Sequence, residues 1–329
     1  MVWAAGWWSK GATVVANMPA AEVQIDEPLV RKLLRRQVPE QAGSPLQLVA
    51  HGWDNVIFRL GSRFTVRLPR RAMAVPLVEH EHRWLAGLAS RLPLPIPTPL
   101  HRGRPDTGFP WPWSITPWFD GTIAAVDPPV DPEGTARIMG EFLAALHRPA
   151  PPDAPPNPYR GVPLQERAQP FEERLTMLSG PGGLSGPGGM VNGPDGMVNG
   201  PDGMVDAGVV RERWQDALHA EVWGGPALWL HGDLHPANLI VTGGQLSAVI
   251  DFGDLTAGDP ATDLAVAWML LPGQYHSVLR GAYGGVDDAT WVRARGWALN
   301  LALAVLANSA DNPVLAGVGR RTLLAATRD

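Results

Sequence analysis

The chain has 329 residues and a formal net charge of −5, with 27 Lys and Arg against 32 Asp and Glu. That length supports one large or two ordinary domains, and the acidic balance excludes a broad basic surface for nucleic acid. Zero cysteines exclude disulfides, thiolate metal sites and a cysteine nucleophile, and no apolar run approaches the roughly 20 residues of a membrane span. The expectation is a cytoplasmic protein without nucleic-acid or membrane partners.

Residues 1–17 read as an upstream extension ahead of Met18. No basic stretch precedes their apolar residues, which argues against a signal peptide. Residues 1–18 are expected to be a disordered or non-native leader. Apolar residues at helical spacing then predict a helix over 28–37, with Pro28 suited to its first turn. Residues 46–50, 56–60 and 63–68 read as strands, with turns at Gly52 and Gly61. A helix over 77–89 follows and the Pro-rich stretch 93–99 ends it. Residues 113–119 read as an edge strand, since Pro117 suits an edge or an end. These elements predict a small N-terminal lobe over 19–120.

The remainder, 121–329, reads as a larger and mainly helical lobe. Helices are expected at 134–147, 208–222, 261–271, 288–308 and 314–327, with a Pro-rich loop over 149–163. Between 179 and 205 a seven-residue unit repeats: Asn-Gly-Pro-Asp-Gly-Met-Val stands at 192–198 and again at 199–205. Units this short and this rich in Gly and Pro cannot bury a core, so a flexible surface insertion is expected. The fold class is therefore α+β in two lobes.

The chemistry concentrates in His-Gly-Asp-Leu-His-Pro-Ala-Asn at 231–238 and Ile-Asp-Phe-Gly-Asp at 250–254. Asp233 follows an apolar strand, Asn238 lies five residues on, and Asp251 lies thirteen residues after Asn238. The turn at Gly243-Gly244 predicts a hairpin that brings Asn238 and Asp251 to one mouth. Phosphoryl transfer needs this set: a base for the attacking hydroxyl, then an amide oxygen and an acid to hold Mg2+ on nucleotide phosphates. Asp233 is the candidate base, and Asn238 and Asp251 are the candidate metal ligands. His231 and His235 lack a third zinc-type ligand and read as structural. Asp259 and Asp263 read as helix-capping residues.

A phosphate-binding cation is also required. Strand alternation puts Arg67 on one face with Thr65, and the following helix offers Glu81 as its partner, with Glu79 as the other acid. Arg70 and Arg71 are rivals to Arg67. The turn Gly52-Trp53-Asp54-Asn55 is a candidate cover for the phosphates, through Gly52 and Asn55.

Together these motifs resemble the aminoglycoside phosphotransferase (phosphotransferase enzyme) family over roughly residues 20–310. Val-Arg-Leu-Pro-Arg at 66–70, Pro-Trp-Pro-Trp-Ser at 110–114 and Gly-Asp-Pro-Ala-Thr-Asp-Leu-Ala at 258–265 support the likeness. The resemblance implies a protein-kinase-like fold, with Asp233 as catalytic base and Asn238 and Asp251 on Mg2+. It also implies that backbone near Thr116, Trp118 and Phe119 holds the adenine. Protein kinases carry Lys where Arg67 stands, and the 179–205 repeat interrupts a region where relatives build part of the substrate site.

The expected activity is transfer of the γ-phosphoryl group of ATP, with GTP as the alternative donor, to a hydroxyl of a small molecule. An aminoglycoside-type antibiotic is one acceptor; a macrolide, amino alcohol, sugar or homoserine is another. A cationic acceptor would draw on Asp254, Asp259, Asp287 or Asp288. Two rival readings are a nucleotide-binding module without catalysis and an interaction protein working through the repeat.

Overall fold

The computed structural model describes residues 19–180, 197–200, 203–309 and 311–328. The expectations for residues 1–18 and for most of the repeat tract lie outside these residues. Asp26 accepts the Leu29 N–H at 3.0 Å and caps α1 (Glu27–Gln37), which buries Val30, Leu33 and Leu34. Strands β1 (Leu46–His51), β2 (Asn55–Leu60) and β3 (Phe64–Pro69) follow as an antiparallel meander. Alternation along β3 sends Val66 and Leu68 into the core shared with α1. It sends Thr65 and Arg67 to the opposite face, toward α2 (Val75–Ala89).

The sheet is completed by β4 (His101–Gly103) and β5 (Trp113–Pro117), in the order β1-β2-β3-β5-β4. Residues 113–119 are therefore not the edge strand that Pro117 suggested. Pro117 is the last residue of β5 and lies past the end of β4, whose His101–Gly103 pairs with Trp113–Ile115, so its missing N–H leaves no partner on that side unbonded.

The chain leaves the sheet through Asp120-Gly121. Gly121 has φ +136, and a Cβ there would run into the Val241 carbonyl. The short β6 (Thr122–Ile123) follows, then α3 (Pro132–Leu146), capped by Asp131. The unexpected α4 (Ala168–Ser179) comes next; Pro170 sits in its first turn, where proline is tolerated. The end of the repeat tract pairs as a hairpin of β7 (Met197–Gly200) and β8 (Gly203–Asp206). Val205 is buried, and Asp206 caps α5 (Ala207–His219).

Strand β9 (Leu228–Leu230) leads to the hairpin of β10 (Leu239–Thr242) and β11 (Gln245–Val249). Strand β6 pairs with β10, so the connection between lobes is fastened to this hairpin. Strand β12 (Thr256–Gly258) pairs back with β9. The single helix expected over 261–271 is two, α6 (Ala261–Leu264) and α7 (Val266–Leu270). Nearly every residue there is buried, so no polar face marks the break. Helices α8 (His276–Tyr283), α9 (Asp288–Asn308) and α10 (Pro313–Thr327) close the chain.

The larger core gathers around α9, whose Trp297, Leu299 and Leu303 are fully buried. Phe171 of α4 and Trp214 of α5 stack with centroids 3.9 Å apart and planes 5° from parallel. Truncating such an aromatic costs about 3–5 kcal/mol. No helix among the described residues is long and apolar enough to cross a membrane.

Candidate active site

The loop after β9 is held from below by one carboxylate. Asp263 Oδ2 accepts the His231 N–H at 2.7 Å and Oδ1 accepts the Gly232 N–H at 2.9 Å. His147 Nε2 adds a third contact at 3.3 Å. Gly232 has φ +84, and a Cβ there would meet the Asp254 backbone, so only glycine suits this turn. The expected capping role for Asp263 is thus too small: it fixes the backbone that presents Asp233. His231 donates through Nε2 to the Ile250 carbonyl at 2.9 Å and accepts the Asp233 N–H on Nδ1 at 3.2 Å. Both ring nitrogens of His231 are thus engaged by protein groups.

Asp233 emerges one-fifth exposed beside two cationic or donor groups. Arg160 Nη2 lies 3.2 Å from Oδ1, and His235 Nε2 lies 3.3 Å from Oδ2. Burial opposes the charge, but His235 and Arg160 outweigh it and hold the Asp233 carboxyl well below the usual carboxylate range. The group is an anion at neutral pH, ready to accept a hydroxyl hydrogen. The neighbouring Asp254 goes the other way: burial and the Asp233 charge push it up. It accepts from Asn157 Nδ2 at 2.8 Å.

Asn238 is fully buried, and its Nδ2 donates to the Asp233 carbonyl at 2.8 Å. Its Oδ1 is buried and has no hydrogen-bond partner among the described residues. The β10–β11 hairpin carries the chain back, and the Ile250 N–H donates to the Asn238 carbonyl at 2.9 Å. Asp251 therefore follows beside Asn238. It has φ +64 and ψ 68, the left-handed region, which costs an aspartate about 1–3 kcal/mol. An orphaned amide oxygen next to a carboxylate is a hard-oxygen donor pair, which fits Mg2+ and does not fit a soft metal. The described residues contain no group of three or more His, Cys, Asp or Glu placed to hold a metal.

Arg67 closes the site from the small lobe. Its Nη1 reaches Glu81 Oε1 at 2.8 Å and Oε2 at 3.0 Å, and its Nη2 lies 3.8 Å from Asp251. Both Arg67 and Glu81 are almost completely buried. Burial works against the Arg67 charge, yet Glu81 and Asp251 together raise its pKa, so it stays cationic. Arg70 and Arg71 are occupied elsewhere: Arg70 bonds the Gly52 carbonyl at 2.9 Å and Arg71 pairs with Asp54 at 2.6 Å. These two arginines brace the Gly52–Asn55 turn. Asn55 is buried, and its Oδ1 lacks a partner among the described residues.

Thr116 is buried within β5, and its Oγ1 has no partner among the described residues. The Trp118 N–H is already used on the Arg63 carbonyl at 2.8 Å. The Trp118 ring lies under Arg59 at 4.5 Å, and Phe119 packs toward Ile123 and Ile250. Of the acids considered for a cationic acceptor, Asp259 is locked to Arg293 at 2.7 Å. Asp287 caps α9, and Asp288 pairs with Arg280. Sequence reasoning missed Arg160: nothing in a Pro-rich loop marks one arginine as facing the Asp233 turn.

Solved structures share this arrangement of lobes. The GDP complex of wild-type aminoglycoside 2'-phosphotransferase-IIIa superposes with a TM-score of 0.61 at 15% identity, covering 92% of this chain and 99% of that one. The macrolide 2'-phosphotransferase of Brachybacterium faecium, as apoenzyme, gives 0.54 at 21%, covering 91% and 96%. The streptomycin–ATP ternary complex of APH(2")-IIa gives 0.54 at 17%, covering 87% and 90%. At these identities the likeness shows the fold. No curated protein sequence matches the chain. The model of the phosphotransferase enzyme family matches residues 45–297. That span is most of the chain and holds the Arg67–Glu81 pair and both loops of the cleft, so the protein belongs to the phosphotransferase enzyme family.

Proposed function

We propose that the protein transfers the γ-phosphoryl group of ATP to a hydroxyl of a small molecule, with Asp233 as the base. The observation that carries this reading is the grouping at one mouth of the Asp233 anion, the orphaned Asn238 Oδ1 and Asp251. Family membership supports the reaction type, and the GDP- and ATP-bound neighbours support a purine nucleotide as donor.

In this reading the acceptor hydroxyl lies against Asp233, which orients it and takes its proton as the oxygen attacks the γ-phosphorus. The new O–P bond forms as the bond from the γ-phosphorus to the bridging β-oxygen breaks, and ADP leaves with that electron pair. Asn238 Oδ1 and Asp251 would hold Mg2+, which when bound neutralises charge on the nucleotide phosphates. Arg67 supplies a fixed positive charge for the phosphates, and Glu81 keeps it in place. Asp263 holds the turn and so positions Asp233 rather than touching substrate.

The test is product identification. Enzyme, Mg2+ and ATP are incubated with aminoglycosides, macrolides, amino alcohols, sugars and hydroxy acids, and phosphorylated products are sought by mass spectrometry. A phosphorylated acceptor, absent with Asp233→Ala, is the expected result. Tight Mg-ATP binding with no phosphorylated product from any class would count against the reading.

A further inference from the structure

Four arginines are buried among the described residues: Arg67, Arg70, Arg167 and Arg293. Three of them have partners that account for their burial. Arg67 holds Glu81, Arg70 holds the Gly52 carbonyl, and Arg293 holds Asp259. Arg167 is the exception. It is 8% exposed, and no carboxylate or carbonyl of the described residues bonds its guanidinium, whereas Arg67 and Arg70 share the unpaired Nε but are bonded through Nη1. Its guanidinium lies over the Tyr159 ring, 5.5 Å from the centroid. Glu166, the preceding residue, is exposed, and it and Tyr159 favour the Arg167 cation less than burial and Arg160 oppose it. Burying a charged group without a partner is costly, and a fold that pairs its other buried arginines has left this one open.

Arg167 does not stand alone. Tyr159, which packs against it, precedes Arg160, whose Nη2 touches the catalytic carboxylate at 3.2 Å. Arg174, seven residues further on, bonds only Asn300 Oδ1, at a long 3.5 Å. The three cations feel one another. After burial, the Arg160 charge is what lowers Arg167 most, and Arg167 followed by Arg160 does the same to Arg174. Arg160 is already paired with Asp233, whereas Arg167 has no hydrogen-bonded anion among the described residues, and burial and the like charge of Arg160 both work against its cation. Of the acids named for a polycationic acceptor, Asp254 lies beside Asp233, where Asn157 bonds it, and the other three are engaged by other groups. Asp259 is held by Arg293, Asp288 by Arg280, and Asp287 caps α9.

We propose that Arg160 and Arg167 bind an anionic group, a carboxylate or a phosphate, of the hydroxylated acceptor. The inference rests on the phosphotransferase reading above and names the acceptor's charge class. Guanidinium forks match both anions bidentately, which is why arginine and not lysine suits the position. Arg160 would then be shared between Asp233 and the acceptor, tying occupancy of the anion site to the orientation of the base.

The experiment uses pyranoses that differ in charge at one end: glucuronate, glucose-6-phosphate, glucose and glucosamine, with kanamycin as a polycation. ADP release is followed with the full chain and saturating Mg-ATP. The expected result is a kcat/KM for an anionic sugar at least about tenfold above that for glucose or glucosamine. Glucuronate ahead of glucose-6-phosphate would identify the carboxylate as the recognised anion, and the reverse order the phosphate. Arg167→Gln should erase the preference through acceptor KM, and Arg167→Lys should restore part of it. A preference for glucosamine or kanamycin overturns the proposal and leaves the phosphotransferase reading intact. So does an anion preference that survives Arg167→Gln, or a loss that falls on KM for ATP.

Should neither these acceptors nor the wider panel above release ADP beyond the Asp233→Asn background, the phosphotransferase reading is what has failed. Calorimetry with glucose-6-phosphate and glucuronate, in the presence of Mg2+ and a non-hydrolysable ATP analogue, then decides the anion site. Binding lost in Arg167→Gln supports it, and absence of binding in the wild type overturns it.

Discussion

Asn238 donates through Nδ2 to the Asp233 carbonyl at 2.8 Å, and its buried Oδ1 is left without a partner among the described residues. One side chain thus braces the Asp233 turn and, in the proposed reading, offers an oxygen to a cation. Asn238→Ala should weaken Mg2+-dependent nucleotide binding by about 10–100-fold, the range for groups that shape a metal site. A Mg2+ titration of ATP binding by calorimetry measures this. Removing Mg2+ with EDTA should abolish turnover in the wild type. Equal Mg2+ dependence in the wild type and Asn238→Ala would remove Asn238 from the metal site.

Arg67 and Glu81 are both buried and bonded to each other, so deleting one leaves the other uncompensated. Arg67→Met should lower stability by about 3–5 kcal/mol. The double change Arg67→Met with Glu81→Met should recover most of that loss, because an apolar pair of similar volume needs no partner. Urea unfolding of the three proteins gives the comparison. Nucleotide affinity should stay low in both variants, separating the fold's need for a pair from the chemistry's need for a cation.

Asp263 gathers two backbone N–H groups and a histidine beneath the catalytic turn. Asp263→Asn replaces an acceptor oxygen with an amide donor facing those N–H groups. Losing a hydrogen bond to a charged group costs about 1.5–3 kcal/mol, so the melting temperature should fall measurably. Turnover should fall with it while KM for ATP moves little. A variant of normal kcat would show that the turn holds itself.

His82 bonds Ser114 Oγ at 2.7 Å and is lowered from 6.5 to about 4, first by burial and then by the Arg102 charge. The folded protein therefore binds fewer protons here than the unfolded chain between those values. The sign follows: this contribution to stability is present above pH 6.5 and is lost as pH falls from 6.5 toward about 4. His82→Gln keeps a hydrogen-bonding group and removes the titration. Melting temperature recorded from pH 7.5 to about 4 should fall less steeply in the variant than in the wild type. Parallel curves would assign the acid sensitivity to other groups.

Much of the fold was legible because local rules and tertiary contacts agree. Alternation placed Thr65 and Arg67 on one face of β3, and helix phase brought Glu81 within reach of that face. The Gly243-Gly244 turn announced the hairpin that sets Asp251 beside Asn238. What escaped lies where no period operates. Arg160 sits in a Pro-rich loop whose path is fixed by distant contacts, such as the Thr256 hydroxyl on the Pro155 carbonyl. Asp263 serves backbone groups about thirty residues upstream, and backbone partners leave no mark on composition. Pro117 suggested an edge, but its place at the last ladder pair let another strand add beyond it. The α6–α7 break is hidden because both helices are buried on all sides.

The central claim is that Asp233 is the base of a phosphoryl transfer, and the most direct test is acceptor-stimulated ADP release compared between the wild type and Asp233→Asn. The substitution keeps the shape and removes the charge that Arg160 and His235 stabilise. Turnover is predicted to fall by about 10²–10⁴-fold, the usual contribution of a general base, with Mg-ATP still bound. Turnover within a factor of about three of the wild type would contradict the account, because a base worth so little is not the base.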